Sequence, residues 1–270
     1  MERDELEVRI AEFAKWHYEF EFEGGVRTPL VDRRLVNRHE QRRRYFFEAL
    51  VRLLGGSLKG HRVLDLGCNA GFWALHCIEA GADFVAGIDA RAEFIDQAEL
   101  VFAAKGIEPA RYSFEAGNVF AHDLGEGFDV VLCLGLLDMV SKPVELFELM
   151  AGAGAQLIVL DTGLSRAASS FFEVSSLGDP RKAVDHRLTL VPTREAVIEL
   201  AGEFGYDVVP LARNIADYAG MKDYSDGRRL AFFCSKGIPL QGLAVEPELP
   251  RGWRGLAADP RRALQQLRGG

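Results

Sequence analysis

A basic excess is missing from this chain: 32 Lys and Arg stand against 40 Asp and Glu, a formal net charge of −8. A molecule of that sign repels polyanions as a whole, so general coating of DNA is excluded and any nucleic-acid surface has to be a local patch. Long apolar runs are missing too. The most hydrophobic stretch, Val130 to Val140, is far shorter than the roughly 20 residues that cross a bilayer core, and the opening MERDELEVRI has no basic segment leading into an apolar one. A soluble, cytoplasmic protein with no membrane partner is expected. Cysteine is scarce: Cys68, Cys77, Cys133 and Cys234 sit in apolar or strand-like surroundings, without Cys-x-x-Cys or a Cys/His pairing at zinc spacing. The expectation is four reduced, structural thiols and no metal.

What is present is a chain of 270 residues, 48% hydrophobic, enough for one large core or two modest ones. Three segments are expected: a cover and helix over 1–57, a main domain over 58–237, and a tail over 238–270 rich in Pro, Gly and Arg. Within the cover, WHYEFEFEGGVRTP precedes a predicted helix from Asp32 through Leu54. Its apolar positions are Leu35, Tyr45, Phe46, Ala49, Leu50, Leu53 and Leu54, and Gly55 and Gly56 stop it. From His61 onward, strands at 61–67, 83–89, 111–119, 128–135 and 155–161 alternate with helices at 71–82, 92–106 and 144–154. Strands that are apolar throughout, separated by helices, form a parallel sheet covered on both faces. After a helix at 193–206 capped by Thr193, strands at 206–211 and 230–237 follow with no helix between them and must pair antiparallel. The pattern is a doubly wound, Rossmann-like α/β fold finished by an antiparallel hairpin.

The sharpest motif is Val63-Leu64-Asp65-Leu66-Gly67-Cys68-Asn69-Ala70-Gly71-Phe72, a strand running into a glycine-punctuated turn that opens a helix. Its glycines permit close approach to the backbone, and the turn is expected to offer backbone N–H groups at a helix N-terminus. The next strand ends in Asp89, where a carboxylate can accept hydrogen bonds from both ribose hydroxyls. A dinucleotide reader shows Gly-x-Gly-x-x-Gly; here the turn is Gly-Cys-Asn-Ala-Gly, preceded by Asp65. A carboxylate beside the turn disfavours a pyrophosphate and suits a ligand carrying an ammonium and a sulfonium, the pattern of S-adenosylmethionine.

From about Leu58 to Gly237 the chain resembles the class I S-adenosylmethionine-dependent methyltransferases, which implies a seven-stranded sheet of order 3-2-1-4-5-7-6. Gly67-Cys68-Asn69-Ala70-Gly71-Phe72, Trp16-His17, Gly24-Gly25-Val26-Arg27-Thr28-Pro29 and Leu188-Thr189-Leu190-Val191-Pro192-Thr193 look like a bacterial subgroup related to the tRNA wobble-uridine methyltransferases. Many members of that subgroup are thought to act on sugars or secondary metabolites. The resemblance implies that Asp65, Gly67, Asn69 and Gly71 cradle the methionine part of the cofactor, and that Asp89 with Ala90 holds the ribose and adenine edge. It further implies Asn118 and Val119 at the adenine, and Leu134 and Gly135 beneath the sulfonium. Where the wobble-uridine relatives carry Gly-x-Leu-Tyr-His after the fourth strand, this chain reads Gly135-Leu136-Leu137-Asp138-Met139. That departure points to a changed substrate side.

Methyl transfer asks the protein to align donor and acceptor, and a hydroxyl acceptor also needs a base. In this fold the base projects from the ends of strands four and five or from segments closing over them. Asp161 ends strand five, His186 follows an insertion over 163–185 with the length of a lid, and His17 lies in the cover; these three are the catalytic candidates. Asp138 is either a helix cap or a site residue, and Phe171, Phe172, Tyr218, Met221 and Tyr224 are either packing or an acceptor wall. His39, His61, His76 and His122 read as ordinary packing or solvated side chains. Arg33, Arg34, Arg38, Arg42, Arg43 and Arg44 read either as a solvated face paired with acids or as a contact for RNA or an anionic substrate. The expected function is O-methylation of a small-molecule acceptor, a sugar or secondary metabolite. The alternatives are a tRNA wobble-uridine methyltransferase and a cofactor-binding module without catalysis.

Overall fold

The computed structural model describes residues 1–167, 169–178 and 184–247. Nine strands are found among them: β1 (Arg62–Leu66), β2 (Phe84–Asp89), β3 (Tyr112–Ala116), β4 (Val130–Leu134), β5 (Leu157–Gly163), β6 (Phe172–Ser176), β7 (Leu188–Pro192), β8 (Asp207–Pro210) and β9 (Arg229–Ser235). Seven of them form one sheet in the order β3-β2-β1-β4-β5-β9-β8. Set β6 and β7 aside and this is the expected 3-2-1-4-5-7-6. β1 to β5 pair in parallel, while β9 runs antiparallel to both β5 and β8.

Side chains alternate across the sheet with a period of two, and the two faces feed two cores. Val63, Val85, Val130, Leu132, Val159 and Phe233 face one core; Leu64, Leu66, Val131, Cys133, Leu160 and Cys234 face the other. The helices α1 (Arg3–Ala11), α3 (Glu48–Leu53), α4 (Phe72–Glu79) and α5 (Ala92–Ala104) contribute to the first core, together with the aromatic strap of residues 16–26. The second is closed by α6 (Pro143–Gly152) and α7 (Arg194–Glu203), whose first turn is capped by Thr193 accepting from the Ala196 amide at 3.2 Å. By the alternation, Asp65, Asp89 and Asp161 all project on the first face, because each stands an even number of residues from Val63, Val85 or Val159 on its own strand. The strap is fastened to that face: Trp16 is fully buried with its indole N–H donating to the Ile10 carbonyl, and Gln97 of α5 donates to the Lys15 carbonyl at 2.7 Å.

Two expectations need correction. The helix predicted over 32–54 is interrupted: α2 (Arg34–Arg42) passes into a π turn at Arg43–Phe47 before α3. The extra residue in that turn shifts the register, so Arg42 reaches β5 while Phe46 packs on Trp73, their rings 5.0 Å apart. Part of the 163–185 insertion is β6, which pairs antiparallel with β7 into a hairpin docked on the segment after β4, where the Leu190 amide donates to the Val140 carbonyl. The Phe172–Ser176 strand escapes notice in the sequence because its side chains are mostly exposed and its apolar alternation, Phe172 and Val174, is too short to stand out. The start of the tail is docked, with Leu240 buried, Leu211 bridged to Val245, and Arg213 bonded to Glu246; residues 248–270 lie outside the described residues. All four cysteines are free and buried, and no group of metal ligands occurs among the described residues. No helix there is long and apolar enough to cross a membrane.

Candidate functional site

The loop between β1 and α4 is a tight left-handed turn. Gly67 (φ 75), Asn69 (φ 51) and Gly71 (φ 72) all have positive φ, and a Cβ on Gly71 would stand 3.2 Å from Ala98, Phe102 and Phe114. The turn was expected to offer amide donors, but its amides are spent. Gly67 and Cys68 donate to the Ile88 carbonyl, Asn69 to the Asp89 carboxylate, Ala70 to the Asn69 side chain, and Gly71 to the Cys68 carbonyl. A phosphate needs free donors there and finds none from these five residues.

Beneath the turn lies Asp65, 1% exposed, with Oδ2 lacking any hydrogen-bond partner. Burial and the neighbouring Asp89 push its carboxyl up to about 7, against the Ala74 amide and Arg42, which pull it down. A buried carboxylate with an orphan oxygen calls for a cation. Spent amides and an unpaired acid therefore fit a ligand that brings positive charge, such as the ammonium and sulfonium of S-adenosylmethionine, and reject a pyrophosphate.

Asp89, also 1% exposed, ends β2 with its carboxylate fully engaged: Oδ1 accepts from the Arg91 amide and Nε, and Oδ2 from the Arg91 guanidinium and the Asn69 amide. Ala90 beside it is exposed. Asn118 is half-buried and its Oδ1 already accepts from the Phe120 amide, while Val119 is buried in the second core. Leu134 and Gly135, at the end of β4, are half-buried.

On the far side, the structure brings together residues the sequence scatters. Asp161 is wholly buried; its Oδ2 accepts from Arg42 Nε at 3.0 Å, from the second Arg42 nitrogen at 2.6 Å and from the Tyr224 hydroxyl at 2.7 Å. Arg229 donates to the Asp161 carbonyl, to Asp138 and to Asp223, and Asp223 is bonded in turn by Arg38 through two 2.7 Å bonds. Three arginines and three aspartates thus knit α2, β5, β9 and the segment after β4 into one network. Burial draws the Arg42 pKa down, but Tyr224 and Asp161 outweigh it and hold the guanidinium charged. Asp161, the first of the catalytic candidates, is sealed inside this network, away from any open wall. Met221 and Tyr224 are fully buried as well, whereas Phe171 and Tyr218 stay exposed.

His186 is exposed; its Nδ1 accepts from the Leu188 amide and shapes the entry to β7. His17 is half-buried in the strap, its ring 5.1 Å from His39 and 4.8 Å from Tyr18, which stacks on Phe72 of α4 at 4.4 Å. Burial and the charges of Arg42, Arg38 and Arg91 push His17 down to about 4, so its imidazole is neutral at neutral pH. His39, read from sequence as ordinary, is 4% exposed with Nε2 unpartnered, and burial with the nearby His17 lowers it to about 2. Sequence reasoning missed Arg42, Arg91, Arg229 and His39 as parts of the site. The i, i+4 spacing of Arg38 and Arg42 was the one available signal, and it was equally consistent with a solvated face.

Residues 38–211, well over half of the chain, match a family described as a methyltransferase domain. A ubiquinone biosynthesis O-methyltransferase of Neisseria meningitidis is 32% identical over 94 residues, covering 35% of this chain and 40% of that protein. A tRNA U34 carboxymethyltransferase of Pseudomonas putida is 36% identical over 89 residues, covering 33% of this chain and 28% of that protein. The chain thus spans well under half the length of these curated relatives. Among solved structures, the N-terminal domain of EvdMO1, crystallised with S-adenosylhomocysteine and D-fucose, superposes with a TM-score of 0.66 at 21% identity, over 87% of this chain and 97% of that one. That likeness shows the fold. The fold, the glycine turn and the family match lead to one conclusion: the chain belongs to the S-adenosylmethionine-dependent methyltransferases.

Proposed function

We propose that the protein transfers a methyl group from S-adenosylmethionine to a hydroxyl of a small molecule, a sugar or secondary metabolite. The observation that carries the choice of a small acceptor over tRNA is the state of the basic helix. Five of the six clustered arginines are paired: Arg34 with Asp32, Arg38 with Asp223, Arg42 with Asp161, and Arg43 and Arg44 with Glu40. α2 does border the β5 end, as a tRNA reading requires, but cations already paired to carboxylates offer phosphates little counterion-release energy. The O-methyltransferase named among the relatives supports oxygen as the acceptor atom.

In this reading Asp65, Gly67, Asn69 and Gly71 hold the amino-acid end of the cofactor, with the orphan Asp65 oxygen facing its positive charge. Asp89 and Ala90 hold the ribose and adenine edge, Asn118 and Val119 border the adenine, and Leu134 lies beneath the sulfur. When bound, the cofactor supplies an electrophilic methyl group on a sulfonium, open to in-line attack. The attacking hydroxyl oxygen becomes strongly acidic as its new bond forms, so a weak base suffices to take the proton. His17, neutral and flanked by Arg38, Arg42 and Arg91, is assigned that role. Asp161 acts through Arg42 as a positioning residue, and His186 shapes the hairpin that borders the acceptor.

The test is incubation with cofactor carrying a labelled methyl group, together with bulk tRNA and a fractionated metabolite extract. Label appearing in a neutral, hydroxyl-bearing small molecule supports the reading, and label in tRNA overturns it. Tight cofactor binding with no transfer to any fraction favours a non-catalytic module instead.

A further inference from the structure

We infer that Arg91 is a built-in competitor for the ribose subsite, a residue that sets cofactor affinity by occupying Asp89 when the cofactor is away. The inference rests on the cofactor reading above and adds a residue that reading does not use. Asp89 accepts four hydrogen bonds, and three of them come from Arg91: its amide at 3.1 Å, Nε at 2.8 Å and a terminal nitrogen at 3.1 Å. The fourth comes from the Asn69 amide at 3.1 Å. A carboxylate has about four lone-pair sites, so no position is left for two ribose hydroxyls until the guanidinium withdraws. The backbone donors of Arg91 and Asn69 are fixed by the turn and by the start of α5; of these donors, the guanidinium is the one free to leave.

Its surroundings suit an exchange. The Arg91 side chain is 41% exposed while Asp89 is 1% exposed, so the arginine reaches in from solvent to a buried partner. In this same pose the guanidinium lies over the Phe94 ring at 4.5 Å, a contact that helps hold it on Asp89 while the ribose is absent. The buried carboxylate needs a donor at all times, since a charge left unpaired in the interior is costly. Arg91 meets that need in the ligand-free enzyme, and the ribose hydroxyls meet it in the complex. Apparent affinity is then the intrinsic affinity multiplied by the fraction of molecules whose guanidinium has swung out. The penalty falls on anything bearing the ribose, so it weakens the spent thioether product as well as the donor and helps that product leave.

The experiment is calorimetric titration of S-adenosylhomocysteine and of 5′-methylthioadenosine, which keeps the ribose and lacks the amino acid, into wild type, Arg91→Gln and Asp89→Ala. Arg91→Gln is expected to bind both compounds about tenfold more tightly, with a melting temperature close to that of wild type. Asp89→Ala is expected to lose detectable binding. Unchanged or weaker binding to Arg91→Gln overturns the inference while leaving the cofactor reading intact. Absence of S-adenosylhomocysteine binding to wild type overturns the cofactor reading itself. A tightening seen with S-adenosylhomocysteine and not with 5′-methylthioadenosine places the effect of Arg91 at the amino-acid end and also overturns the inference.

Discussion

The two halves of the site are built on different principles. At the ends of β1 and β2 one short stretch of chain does the work: a left-handed turn, two buried carboxylates and amides whose acceptors all lie between Asp65 and Arg91. At the ends of β4 and β5, the work is done by side chains from Arg38, Arg42, Asp138, Asp161, Asp223 and Arg229, segments far apart in the chain. The first half is a local motif that any chain with those residues can form. The second exists only after folding, and its paired charges are tolerated in the interior because each has a partner at hydrogen-bond distance.

That contrast can be broken most severely at Arg42. Arg42→Ala leaves Asp161 buried and stripped of its main partner, and is expected to cost about 3–5 kcal/mol of stability in urea unfolding. The double substitution Arg42→Met, Asp161→Leu is expected to recover most of that loss. A single-variant cost below about 1 kcal/mol would show that the network is ornamental.

The local half is sharpened by Asp65→Asn, expected to weaken S-adenosylmethionine about 100-fold in calorimetry, because a charged hydrogen-bond acceptor for its cation is gone. The same variant is expected to melt higher than wild type without ligand. The folded pKa of Asp65, about 7, lies above the unfolded value near 4. The folded state therefore holds the proton more tightly, and stability from this group is full below about pH 4 and is lost as pH rises toward 7. The melting difference between the Asp65→Asn variant and wild type should be absent at about pH 4 and grow up to neutral pH. A constant difference would refute the burial argument.

A smaller effect is expected of Gly71→Ala, which forces a positive φ on alanine and crowds Phe102 and Phe114. It should cost about 1–3 kcal/mol in thermal unfolding. The smallest is Arg44→Ala: its side chain is 55% exposed against Glu40, so a loss of less than about 1 kcal/mol is expected. If Arg44→Ala proved as costly as Arg42→Ala, position along the helix would not separate structural from solvated arginines.

The contrast also explains which parts were legible beforehand. The seven strands of the main sheet and the helices that connect them announce themselves by period and by glycine stops, and the antiparallel finish follows from two strands with no helix between them. Asp65, the glycine turn and Asp89 are legible because their contacts lie within one strand-turn-helix-strand unit. The π turn at Arg43–Phe47 is not, since an added residue in a helix is chosen by what the side chains on either side must reach. The β6–β7 hairpin is hidden for the opposite reason, as β6 faces solvent and only Phe172 and Val174 mark its alternation.

The sequence by itself determined the seven strands of the main sheet, the α/β class and the glycine turn with its two acids, because these depend on residues near one another in the chain. Only the tertiary structure decided that the turn's amides are consumed, that Arg91 holds Asp89, and that Arg42 is buried against Asp161. Hydrogen-bond partners are a matter of which atoms meet within about 3 Å, and one-dimensional spacing does not encode which of the clustered arginines turns inward.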